Sequence, residues 1–198
     1  NWTNNSGKSI SLDGGGTLIA RGNYTNDGDI TVEDSAFGIG GTVDASKLSS
    51  FTLINPTGYR FLSGVFDLSG GSYEFTEDST IEGMDFRDGT LTVATGVDVT
   101  VTSTSYFRGI TIDDDITMRS TLYIYDSLTI NAKLSMENSS YLYVQTSGMT
   151  IDGSGQIEFT DTTTPRIYSY FKVDSLIDDG IEILGTRGLI QGRFVLEC

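Results

Sequence analysis

The 198-residue chain contains no histidine. That removes imidazole from every role it plays elsewhere: nucleophile triads, zinc ligation and acid–base work near neutral pH. A single cysteine, Cys198, leaves no partner for an internal disulfide and too few thiolates for a cysteine-built zinc site. Only Pro56 and Pro165 are proline, and the 24 glycines are spread along the chain, which excludes collagenous and low-complexity classes. Cationic residues are scarce, 12 Lys plus Arg against 27 Asp plus Glu, for a net charge of −15. Such a surface opposes nucleic acid and anionic membranes, both of which need positive charge to release counterions or meet headgroups. No apolar run is long enough to cross a bilayer, and no charged-then-apolar leader opens the chain, so the sequence reads as mature or as an excerpt.

What is present is a strand-forming vocabulary. Thr occurs 26 times among Val, Ile, Leu, Tyr and Phe, residues that suit a pleated, half-buried surface. Apolar–polar–apolar triplets recur from Ile10-Ser11-Leu12 to Ile181-Glu182-Ile183, each placing two side chains on one face of a strand and one on the other. One series of triplets begins at Leu91, Ile110, Leu128, Met149 and Phe171, with intervals of 19, 18, 21 and 22. A second series at Val99, Ile116, Leu134, Ile157 and Ile181 has intervals of 17, 18, 23 and 24. Between them lie turn formers such as Asn26-Asp27-Gly28, Gly70-Gly71, Asp88-Gly89 and Asp152-Gly153. No stretch has helical spacing.

A repeat of roughly 20 residues in an all-β chain leaves a solenoid or a β-sandwich. The intervals favour a single-stranded right-handed parallel β-helix, a β-solenoid, with two strands per coil. About nine coils at roughly 4.8 Å each would make a rod ~45 Å long. Residues 1–198 then form one solenoid domain, with an irregular segment at 33–64. Residues 185–197 still alternate like strand, which suggests an excerpt or a subunit of a larger assembly.

Residues 22–32, Gly89-Thr90-Leu91-Thr92-Val93 with Gly96-Val97-Asp98-Val99-Thr100-Val101, and Met149 through Ile157 resemble the coil units of large secreted bacterial β-helix proteins. They look like the passengers of autotransporter and filamentous-haemagglutinin-type adhesins, across most of residues 9–183. The resemblance is one of pattern. It implies surface display, adhesion or fibre assembly, and carries over no functional residue.

The candidate chemistry is sparse. Asp113, Asp114 and Asp115, with Arg108 or Arg119 nearby, and Asp178-Asp179 are the carboxylate clusters. Alternation along a strand sends successive carboxylates to opposite faces, so a solvated corner is the plain reading and weak Ca²⁺ ligation the other; no further cofactor is expected. The pairs Tyr123/Tyr125, Tyr141/Tyr143 and Tyr168/Tyr170 place both rings on one face, with Leu122, Ile124, Leu142 and Val144 on the other. An outward aromatic ladder suits sugars or another protein surface. Thr92, Thr111, Thr129 and Thr150 read as a further outward column, of the sort a water-ordering, ice-binding solenoid uses. Sequons begin at Asn1, Asn4, Asn23 and Asn138, the glycan acceptors of an exported protein.

These features point to an extracellular or cell-surface structural or adhesive scaffold, not an enzyme. Its partners would be itself, neighbouring coils, surface glycans or a cell-surface protein, with no nucleic acid and no membrane insertion. The alternative is a β-helix polysaccharide lyase or glycoside hydrolase, since those enzymes work with carboxylates and need no histidine.

Overall fold

The computed structural model describes residues 2–22, 24–44, 51–160, 165–169, 175–177, 180–185, 189–191 and 194–196. Among them every regular element is a strand, and no helix is long and apolar enough to cross a membrane. Every strand pairing is parallel, joining positions from 17 apart, as Thr100 to Thr117, to 26 apart, as Gln156 to Glu182. Parallel neighbours cannot be joined by a hairpin. The chain must travel a full winding between them, and it does so as a right-handed β-solenoid. The antiparallel facing layers of a sandwich are absent among the described residues.

Each winding has three faces, one more than the sequence spacing suggests. The first carries Thr17–Ala20, residues 36–39, 58–62 and 79–82, then Val99–Ser103, Ile116–Met118, Lys133–Met136, Gln156–Phe159 and Glu182–Gly185. The second carries residues 41–44, 64–67, 84–87, 105–108 and 121–125, then Tyr141–Val144, Arg166–Ser169 and Leu189–Gln191. The third carries Ser72–Phe75, residues 89–93, 110–112 and 128–130, then Thr150–Asp152, Ser175–Ile177 and Phe194–Leu196. At the N-terminal end, Trp2–Asn4 pairs Tyr24–Asn26, while Ser9–Leu12, Asp29–Glu33 and Phe51–Ile54 form their own sheet. Within residues 33–64, Ala36–Asp44, Phe51–Ile54 and Gly58–Asp67 are strands; 45–50 lie outside the described residues.

The second face escapes a spacing argument because in several windings it runs into a neighbouring face without a break, as in Ser105–Ile112 and Thr121–Ile130. Ser79–Val93 runs through all three faces as one 15-residue strand. The bend from second to third face is made within strands, by residues of positive φ stacked near one another: Asp88 (50°), Gly109 (61°) and Asp126 (66°). Asp and Gly accept that left-handed geometry more readily than branched residues do.

Register sets the interior. Val43, Phe66, Phe86, Phe107, Ile124 and Val144 lie over one another as a column beneath the second face. Ile39, Phe61, Ile81, Val101, Met118, Met136 and Phe159 do the same beneath the first. All are buried, and no single winding could cover them. Phe37, Phe61, Phe66, Phe75, Phe86 and Phe107 make the N-terminal half of this core aromatic, whereas from Ile110 to Ile157 it is mainly aliphatic.

Two expected alignments shift. The series Val99, Ile116, Leu134 and Ile157 is in register, but Ile183 and not Ile181 continues it. Opposite Ile110 stands Gly89, so Leu91 pairs Ile112; opposite Leu128 stands Ile151, two residues beyond Met149. The outward column is therefore Thr90, Thr111, Thr129 and Asp152, not one containing Thr92 and Thr150. Gly89 has no side chain to mark its place, so apolar spacing puts the start of that face too late. Phe171 lies outside the described residues.

Candidate functional site

The residues with the most organised outward chemistry lie on the second face. In Thr121–Ile130, Leu122 and Ile124 are fully buried, so the alternation turns Tyr123 and Tyr125 outward, where both are half-buried. Tyr141–Val144 repeats the pattern, with Leu142 and Val144 inside and Tyr141 and Tyr143 outside. Parallel pairing then sets Asp85, Tyr106, Tyr123 and Tyr143 in one outward column. Tyr168 occupies the next backbone position, although its side chain and all of Tyr170 lie outside the description.

The rings stack between windings. Tyr106 and Tyr123 have centroids 5.6 Å apart and planes 15° from parallel; Tyr123 and Tyr143 are 5.1 Å apart at 17°. Tyr141 and Tyr143 are also stacked, at 5.6 Å and 7°. Rings lying flat on the sheet could not come this close without overlapping at their edges. They therefore stand up, faces against one another, with edges toward solvent.

Beside this column runs a second: Asp67, Arg87, Arg108 and Tyr125. The Asp85 carboxylate, in a residue only 8% exposed, ties the two together. It accepts from Arg87 Nη2 at 2.6 Å and Nε at 3.1 Å, and from Arg108 Nε at 2.9 Å. Two guanidiniums compensate one buried charge, which would otherwise be costly to desolvate. Arg108 Cζ lies 3.8 Å from the centre of the Tyr125 ring, and Arg166 Cζ 5.9 Å from that of Tyr141. Arg108 is thus fixed at Nε by Asp85 and along its plane by Tyr125, while its two terminal amino groups have no partner among the described residues.

The acidic run behaves differently. Asp113 Oδ1 accepts from Asn131 Nδ2 (2.7 Å), Asp114 Oδ2 from Val93 N (3.0 Å) and Asp115 Oδ1 from Lys133 N (3.0 Å). Asp113 and Asp115 thus reach forward to the next winding and Asp114 back to the preceding one, as corner fasteners. Among the described residues no three acidic or thiol groups gather as a metal site. Neither expected arginine faces them: Arg108 serves Asp85, and Arg119 Nε donates to Glu137 Oε2 at 2.8 Å. Asp178 and Asp179 lie outside the described residues, as do Asn1 and Asn23. Asn4 is buried, its Nδ2 donating to Asn26 Oδ1 (2.8 Å) and Asp29 O (3.2 Å), so in the fold that amide holds two windings together. Asn138 is exposed at a turn with φ 52°.

Tyr106, Asp85, Arg87 and Arg108 are members of this face that i, i+2 spacing does not find. A signal for Tyr106 exists in Tyr106-Phe107-Arg108, an outward–inward–outward triplet one winding ahead of Tyr123-Ile124-Tyr125. Fold and face together define the class as a parallel β-solenoid with an ordered aromatic and arginine surface. The chain matches no protein-family model, and searches of curated proteins and of solved structures find no similar protein.

Proposed function

We propose that this chain is a structural and adhesive scaffold displayed outside the cell, of the general kind formed by autotransporter and filamentous-haemagglutinin-type passengers, and not a catalyst. The observation that carries this reading is the tyrosine column of the second face, held in step by the winding of a rigid core. Tyrosine and arginine dominate protein recognition surfaces because they offer large contact area together with directional polar groups. A solenoid gives such residues fixed spacing without a loop to order on binding, so little entropy is lost in the contact.

The test is retention of cells or surface polymers by the immobilised full chain, alongside electron microscopy of its assembly state. The reading expects retention or self-assembly in the native chain, and loss of either in Tyr123→Ala/Tyr143→Ala with the rod intact. A monomeric rod that retains nothing, or turnover of a polysaccharide by the purified chain, would contradict it.

A further inference from the structure

We infer that the second face binds an extended, uncharged, β-1,4-linked polysaccharide lying along the solenoid axis; this rests on the adhesive reading above and names its partner. Three observations converge. The first is periodicity. The rings of Tyr106, Tyr123 and Tyr143 succeed one another at 5.6 and 5.1 Å, a little more than the ~4.8 Å spacing of adjacent strands. An extended β-1,4-linked glycan advances by nearly the same step per sugar, so one sugar falls opposite each ring along the column. An α-1,4-linked chain of the same sugars curls and loses step.

The second is orientation. The stacked rings present edges and phenol groups outward, not open faces. Phenol hydroxyls donate and accept, as sugar hydroxyls do, so the contact is a row of hydrogen bonds flanked by ring edges. Arg108, in the neighbouring column, adds donors beside that row. Asp85 holds its Nε and Tyr125 covers its plane, so its terminal amino groups are set in place before a ligand arrives.

The third is charge. At −15 the chain repels polyuronates, whereas a neutral polymer meets no long-range barrier. The local arginines do not reverse this, because Asp85, which accepts from both Arg87 and Arg108, and Asp67, paired beside Arg87, together match their two charges.

Calorimetric titration of the full chain with cellohexaose, maltohexaose and a galacturonate hexamer tests the inference. Saturable binding of cellohexaose is expected, with maltohexaose and the galacturonate bound at least tenfold more weakly. Tyr106→Phe and Tyr123→Phe keep the stacked rings and remove only the hydroxyls, and each should weaken cellohexaose by about fivefold, the equivalent of one hydrogen bond. Arg108→Gln should weaken it as well. Circular dichroism confirms that each variant is folded. Absence of cellohexaose binding by the folded native chain, equal binding of maltohexaose, or full affinity in the Phe variants would overturn the inference. If the chain still retains cells or assembles while binding none of the sugars, the scaffold reading stands and this partner does not; if it does neither, both fail.

Discussion

At the scale of single residues, the windings leave some positions no room and others little water. Gly153 has φ +122°, and a Cβ there would sit 2.1 Å from Ile130 O on the winding below. Gly153→Ala should lower stability by about 2–3 kcal/mol, combining backbone strain with a contact that only a backbone shift can relieve; urea unfolding followed by circular dichroism measures it. Tyr73 shows a different pressure, a half-buried phenol set among aromatic rings. Its ring meets Phe61, Phe66 and Phe75 edge to face, and burial pushes its phenol up to about 12 from 10.0, against a smaller lowering by the hydrogen bond with Tyr59. A raised phenol favours the neutral form in the fold. Its contribution is fully present below pH 10 and is lost as pH rises toward 12. Tyr73→Phe cannot ionise, so its urea midpoint should fall less than that of the native chain over that interval; an identical alkaline decline in both would refute the assignment.

At the scale of elements, stability belongs to columns and not to individual strands. Phe86 has its ring 5.2 Å from Phe66, 5.6 Å from Phe61 and 5.7 Å from Phe107, spanning the windings on either side. Phe86→Ala should cost about 3–5 kcal/mol, a cavity three windings share and none can close; denaturant unfolding reads this directly. Alternation of side chains made the strands legible from sequence, and the outward turn of Tyr123 and Tyr143 follows from Leu122, Ile124, Leu142 and Val144 facing inward. Register was legible only in part. Val99, Ile116, Leu134 and Ile157 carry bulky inward side chains at each step, so spacing finds them. Gly89 carries none, and the alignment built on Leu91 slips by two residues. The Asp85 cluster was not legible, because its partners stand two residues away in Arg87 and a whole winding away in Arg108. Windings differ in length, the step from Thr100 to Thr117 being much shorter than that from Gln156 to Glu182, so no fixed period would have paired Asp85 with Arg108.

At the scale of the whole molecule, the rod is a near one-dimensional array in which each winding templates the next. That arrangement turns short-range alternation into a surface ordered over many windings, and the stacked tyrosines inherit their spacing from it. Acid exposes one of the ties between windings. Glu82 accepts from Arg60 at 2.6 and 2.8 Å, which holds its carboxyl below the usual 4.5, so the pairing contributes above that value and is lost as pH falls through the lowered one. The parallel register itself is the claim on which columns, ladder and proposed partner all depend. Its most direct test is oxidative cross-linking of paired cysteines placed on the third face, in a Cys198→Ser background. Thr111→Cys with Thr129→Cys joins positions that face each other across adjacent windings, and these should form a disulfide within one chain under mild oxidation. Thr92→Cys with Thr111→Cys joins positions two residues out of step and should not. Cross-linking of the second pair in preference to the first would contradict the register and everything built on it.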